Sequence, residues 1–113
     1  RQIIASDNTV ELYNPKVIQA TMGSFVRVSV WHEDIVPVIK NAGVTVYGAL
    51  LDGKNVPEVG KISEGLLVIG NESKGINSEL KELITQPLTI PRYGGAESLN
   101  AAVATGIILS HII

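Results

Sequence analysis

Three stretches of this sequence hold residues able to do chemistry. Glu72 lies in Ile69-Gly70-Asn71-Glu72-Ser73-Lys74-Gly75-Ile76, directly after the apolar run Leu66-Leu67-Val68-Ile69. A carboxylate beside a buried strand must be solvated or paired, because an ionised group left bare there is strongly disfavoured. Ser98 and Asn100 lie in a second stretch, from Ile90-Pro91-Arg92 through Ser98-Leu99-Asn100-Ala101-Ala102-Val103-Ala104. Two residues apart at the predicted start of a helix, they reach the same space, although Ser98 reads equally well as a plain helix N-cap. The third stretch is Ala20-Thr21-Met22-Gly23-Ser24.

The same residues exclude other chemistries. Lys74 precedes Gly75, and no Lys-Ser/Thr pair follows a glycine as a phosphate-binding loop requires; Gly-x-Gly-x-x-Gly is also missing. Gly70 and Gly75 read equally well as a bland turn between strand and helix. Without Gly-x-Ser-x-Gly, a hydrolase nucleophile elbow has no support. His32 and His111 have no partners spaced for nucleophilic catalysis or metal binding, and His111 fits a helix end or an interface. There is no cysteine, so disulfides, thiolate sites and a cysteine nucleophile are ruled out. No metal site is expected.

The elements that position these stretches follow from periodicity and punctuation. Ile3-Ile4-Ala5 reads as a short strand and Ser6-Asp7-Asn8 as a turn. Asn14-Pro15 sets up a helix over Lys16 to Thr21, closed by Met22-Gly23-Ser24 with Gly23 at the C-terminal cap. Alternation predicts a strand over Val26 to Val30. Asp34 caps a helix from Ile35 to Asn41, and Gly43 ends it. A strand over Val44 to Leu51 follows, then a turn at Asp52-Gly53-Lys54-Asn55 and a polar loop to Ser63. Leu66 to Ile69 suits a strand covered on both faces. Asn77 or Ser78 caps a helix through Leu83-Ile84, Pro87 to Ile90 is another strand, and Pro91 to Ala96 a loop. The last helix, from Ser98, is apolar nearly all round and is expected to be enclosed on more than one side. Alternating strands and helices define an α/β class with a mostly parallel sheet and flanking helices. The three chemical stretches then fall at the C-terminal ends of strands, where open α/β sheets bind ligands.

At 113 residues the chain has room for one domain, taken as residues 1–113. Charged residues are 18% against 45% hydrophobic, more apolar surface than one small core needs, which points to a homodimer with a charge-poor interface. A net charge of −2 gives no global attraction for nucleic acid. An RNA-binding patch would have to be assembled from Lys16, Arg27, Lys74, Lys81 and Arg92, or supplied by another module. The apolar stretch Leu99 to Ile113 is too short for a membrane span, so no membrane partner is expected. The chain opens on Arg1-Gln2 with no methionine, and is read as an N-terminally truncated catalytic domain.

In order and spacing, Asn14-Pro15 through Ser24, Ile69 through Ile76, and Ile90-Pro91 with Ser98 through Ala104 resemble the motifs of the SpoU (TrmH) family of RNA 2′-O-ribose methyltransferases, in the SPOUT superfamily. The resemblance covers nearly all of the chain from Asn14 onward. It implies a C-terminal trefoil knot, with the segment after Ile90 threading the loop around Gly70 to Gly75; periodicity would never have indicated one. It implies S-adenosyl-L-methionine as cofactor, held at Thr21, Met22, Gly23, Ile69, Gly70, Asn71, Ile90, Leu99 and Ala101. Glu72, Ser98 and Asn100 carry over as catalytic polar residues: Ser98 and Asn100 orient the ribose and catalytic groups, and Glu72 holds a partner arginine or the substrate. The implied reaction is methyl transfer to a ribose 2′-hydroxyl of tRNA or rRNA, in the cytoplasm. The family also has an earlier Asn and Arg motif carrying the proposed catalytic arginine. It would precede Arg1, and neither Arg1, Arg27 nor Arg92 matches it. A catalytically inactive cofactor-binding or RNA-associated dimerisation module is therefore the alternative. An unrelated α/β nucleotide-binding or regulatory domain is a more distant one.

Overall fold

The computed structural model describes residues 2–95 and 98–113. Arg1, and Ala96 and Glu97 at the end of the loop expected after Pro91, lie outside the described residues. The chain divides into two compact units, Arg1–Asn41 and Ala42–Ile113.

In the first unit, strand β1 (Gln2–Ala5) pairs in parallel with β2 (Ser29–His32), from Gln2 opposite Ser29 to Ala5 opposite His32. Helix α1 (Pro15–Thr21) starts where Asn14 accepts a hydrogen bond from the Lys16 amide at 2.9 Å, with Pro15 supplying a ready-made helical φ. Helix α2 (Ile35–Lys40) starts where Asp34 accepts from the Val36 amide, as expected. The strand expected over Val26 to Val30 is displaced. Ser24–Val26 forms a 3-10 turn instead, because the Ser24 hydroxyl donates to the Thr21 carbonyl at 2.7 Å and the Arg27 amide to the Ser24 carbonyl at 2.9 Å. These local bonds keep the chain out of a ladder until Ser29.

The second unit is built on a three-stranded parallel sheet in the order β4-β3-β5, with β3 spanning Val46–Asn55, β4 Leu66–Val68 and β5 Gln86–Thr89. Helix α3 (Ser78–Leu83) joins β4 to β5, and of its two candidate caps Asn77 is used, accepting from the Leu80 amide at 2.9 Å. The turn expected at Asp52 to Asn55 lies inside β3. Ala49 and Lys54 both stand opposite Leu88, so the residues between them bulge and the strand then resumes. Gly53 permits this, since a Cβ there would lie 2.7 Å from the Pro87 carbonyl carbon and oxygen, inside any tolerable contact. The Leu66 to Ile69 run is not covered as thoroughly as predicted. β4 is an edge strand, and of its residues Val68 alone is fully buried.

Helix α4 (Ala101–Ile112) completes this unit. Ile108 and Ile112 pack with Leu88 and Val56 into a core whose members are each at most 1% exposed. Val56 falls in the stretch read from sequence as a polar loop, and the core claims it. The helix is also tied by the Ile62 amide donating to the Ile112 carbonyl at 2.7 Å. Enclosure on more than one side does not hold within the chain: Val103 is 51% exposed and Ile113 43%. Ile108→Val is expected to cost about 1 kcal/mol, the usual penalty for deleting one buried methyl group. Urea unfolding should show a lower midpoint at unchanged slope.

Candidate active site

β4 and β5 run parallel on either side of β3, so the segments that leave them emerge at one edge of the sheet. Val68 and Pro87 both stand level with Gly48. Ile69 and the start of the Ile90 segment therefore leave the sheet two strand spacings apart, roughly 10 Å. Both side chains rest against the Leu88 core. The alternation of elements alone places these segments at strand ends; only the strand order makes them neighbours.

After Ile69 the chain closes into a tight loop. The Asn71 amide donates to the Gly75 carbonyl at 3.1 Å, and the Gly75 amide returns to the Asn71 carbonyl at 2.7 Å. Inside it, Asn71 Oδ1 accepts from the amides of Ser73 at 2.8 Å and Lys74 at 3.2 Å. Asn71 thus shapes the loop, as an Asx turn does. Gly70 is packed against the loop's own return: a Cβ would lie 2.4 Å from the Gly75 carbonyl carbon and 2.5 Å from the Ile76 nitrogen. The crowding at Gly70 therefore comes from the loop closing on itself. Gly75, with φ 66°, completes the closure, in keeping with the turn read for it from sequence.

Asn100, Glu72 and the start of α4 meet at this loop. The Asn100 side chain is the N-cap of α4, its Oδ1 accepting from the amides of Ala102 at 2.9 Å and Val103 at 3.2 Å. Its Nδ2 donates to Glu72 Oε1 at 2.9 Å, across 28 residues of chain. Ser98 is thus not the helix cap; it lies exposed two residues before it. Leu99 is 48% exposed, and Ala101 is the first residue of α4, its carbonyl accepting from the Thr105 hydroxyl at 2.7 Å.

Thr21, Met22 and Gly23 belong to the first unit, at the end of α1. Met22 and Gly23 take left-handed backbone conformations, with φ of 49° and 84°, and Met22 is 94% exposed. A left-handed non-glycine costs about 1 kcal/mol or more, so the turn is held against a local preference. Thr21 donates its hydroxyl to the Ile18 carbonyl at 2.8 Å. The hollow of about 250 Å³ beside it is walled by apolar side chains such as Val17 and Phe25, and neither Met22 nor Gly23 lines it. Among the described residues no three histidine, aspartate or glutamate side chains cluster as metal ligands would. Among the described residues no helix is long and apolar enough to cross a membrane. His32 Nε2 lies 3.3 Å from the Val10 carbonyl and His111 Nδ1 3.0 Å from the Ile107 carbonyl, so each ring engages its own neighbourhood.

The chain is similar to named proteins over nearly its whole length. It is 34% identical to the 23S rRNA (guanosine(2553)-2′-O)-methyltransferase RlmP of Bacillus subtilis, across 97% of this chain and 46% of that protein. It is 42% identical to the tRNA (guanosine(18)-2′-O)-methyltransferase of Aquifex aeolicus, across 62% of this chain and 34% of that protein. The AdoMet-bound rRNA methyltransferase from Sinorhizobium meliloti superposes with a TM-score of 0.86 at 31% identity, over 96% of this chain and 43% of that one. The chain therefore spans less than half the length of these relatives. With the SpoU rRNA Methylase pattern matching residues 1–110, and with the Gly70 loop and the Asn100 cap side by side at one sheet edge, the chain belongs to the SpoU rRNA methylase family.

Proposed function

We propose that this chain is the cofactor-binding catalytic region of an RNA 2′-O-ribose methyltransferase acting on tRNA or rRNA. The observation that carries the reading is the 2.9 Å bond between Asn100 and Glu72, which joins the two motif stretches into one polar site beside the sheet edge. Bound S-adenosyl-L-methionine would supply a sulfonium methyl group with a neutral sulfide as leaving group. A ribose 2′-hydroxyl accepting that methyl group would have to give up its proton to a base. The protein's share is alignment and handling of that proton.

The residues fit such a cofactor. Ile69 and Ile90 offer half-buried apolar surface at the sheet edge, and Leu99 adds an exposed apolar side chain beside the cap. The amides of Asn71, Ser73, Lys74 and Gly75 are engaged inside the loop, which makes it a stiff wall. Direct main-chain contact is therefore proposed for its flank, Ile69 and Gly70, and for Ile90, Leu99 and Ala101, with Asn71 contributing through loop shape. Thr21, Met22 and Gly23, the other cofactor residues that the resemblance implies, lie in the first unit at the turn that closes α1. Glu72 and Ser98 are proposed to face the ribose and the groups that handle its proton.

Three further features belong to this reading. A trefoil knot is supported by the post-β5 chain meeting the Gly70 loop at Glu72, while the far end of α4 is bonded to Ile62 ahead of β4. A homodimer is supported by the exposed apolar side chains Val103 on α4, Leu99 just before it and Ile113 just after it. A cytoplasmic place of action rests on the proposed RNA substrate alone. Both relatives are named as methyltransferases, which lends no support to the inactive alternative.

Calorimetric titration of the full protein with S-adenosylmethionine should show one site per chain, and ribose-methylation mapping of total RNA should show a protein-dependent 2′-O-methyl mark. Binding without any mark would leave the inactive module; neither would remove the assignment. Sedimentation of the same preparation at twice the chain mass is the expected result for the dimer.

A further inference from the structure

We infer that Asn100 is a positioning residue: its amide clamps Glu72 to the start of α4 and so fixes the carboxylate and the Gly70–Gly75 loop in register with the helix. The catalytic consequence rests on the proposed function; the clamp itself rests on geometry alone.

An N-cap needs only an acceptor, and Asn, Asp and Ser serve about equally well. This cap does more. Oδ1 faces two helix amides, so the amide plane is set and Nδ2 is turned away from the helix, where it meets Glu72 Oε1. An aspartate could accept from the helix but would present a second carboxylate to Glu72. A serine could cap but lacks the reach to hold both partners at once. The need for an acceptor on one atom and a donor on another selects asparagine. Glu72 sits in a loop closed at both ends by the Asn71 and Gly75 pair, so fixing its side chain fixes a rigid unit. The bond also sets where Oε1 points, so Asn100 acts on the ribose through Glu72.

The test uses Asn100→Ser, Asn100→Asp and Glu72→Ala in the full protein. Because the cap survives in both Asn100 variants, melting temperatures should stay within about 3 °C of the parent. Hydrogen exchange at the Asn71, Ser73, Lys74 and Gly75 amides should rise at least about fivefold in both. For methyl transfer, Asn100→Ser should lower kcat about 10- to 100-fold with KM little changed, and Asn100→Asp should lower it further through carboxylate repulsion. In a Glu72→Ala background, Asn100→Ser should add less than about a twofold change, because the residue it positions is gone. Unchanged loop exchange in both variants overturns the clamp, as does a kcat loss of equal size in the two backgrounds. If the parent transfers no methyl group, the functional reading fails and loop exchange alone decides the clamp.

Discussion

Replacing Gly70 by alanine is expected to lower S-adenosylmethionine affinity about 10- to 100-fold, since closing the overpacked loop around the cofactor costs about 1–3 kcal/mol. The added methyl group would meet backbone atoms of Gly75 and Ile76 at 2.4 and 2.5 Å, and backbone cannot swing aside as a side-chain tip can. The loop must open. Opening it breaks the Asn71–Gly75 pair and moves Glu72 away from Asn100. An accompanying stability loss of about 1–3 kcal/mol follows from overpacking. Gly94→Ala is the control, because a Cβ there has nothing within 4 Å. Calorimetric titration and urea unfolding of both variants check this. A Gly70→Ala protein that binds like the parent would show that the loop does not shape the cofactor site.

Glu72→Ala should abolish most methyl transfer, by about 10²–10³ in kcat, the range seen when one preorganised polar group is removed from a reaction centre. Fold and cofactor binding should barely change. Glu72 and Asn100 are exposed, so water replaces the lost carboxylate at Nδ2, and the helix cap through Oδ1 is untouched. Stability within about 0.5 kcal/mol of the parent is expected for a surface change of this kind. Single-turnover methylation beside a cofactor titration separates the two effects. Loss of cofactor binding equal to the loss of turnover would make Glu72 part of the cofactor site instead.

Local chemistry was legible without coordinates. Asn14-Pro15, Asp34 and Asn77 start helices where a side-chain oxygen can reach an amide two or three residues on, a contact that needs no distant partner. The α/β alternation and the placing of the Ile69 and Ile90 stretches at strand ends were legible for the same reason, since periodicity and glycine punctuation are short-range. The stretch Ala20 to Ser24, also expected at a strand end, instead closes helix α1. The resemblance to the family motifs grouped Glu72, Ser98 and Asn100, of which the structure joins Glu72 and Asn100.

What the chain could not disclose locally is which of two good caps begins α4. Ser98 and Asn100 are equivalent by propensity, and the choice falls on the one whose amide can also answer Glu72, 28 positions away. The Asp52-Gly53 turn failed in the same way: its bend is real, but pairing with β5 on both sides of it absorbs the bend into β3. Val56 looked like loop and became core because α4 arrives over it. Composition and local spacing determined the elements, their caps and the candidate residues. Strand order, the β3 bulge and the Glu72–Asn100 bond were decided only by tertiary structure, because each depends on segments that meet in space after being far apart in the chain.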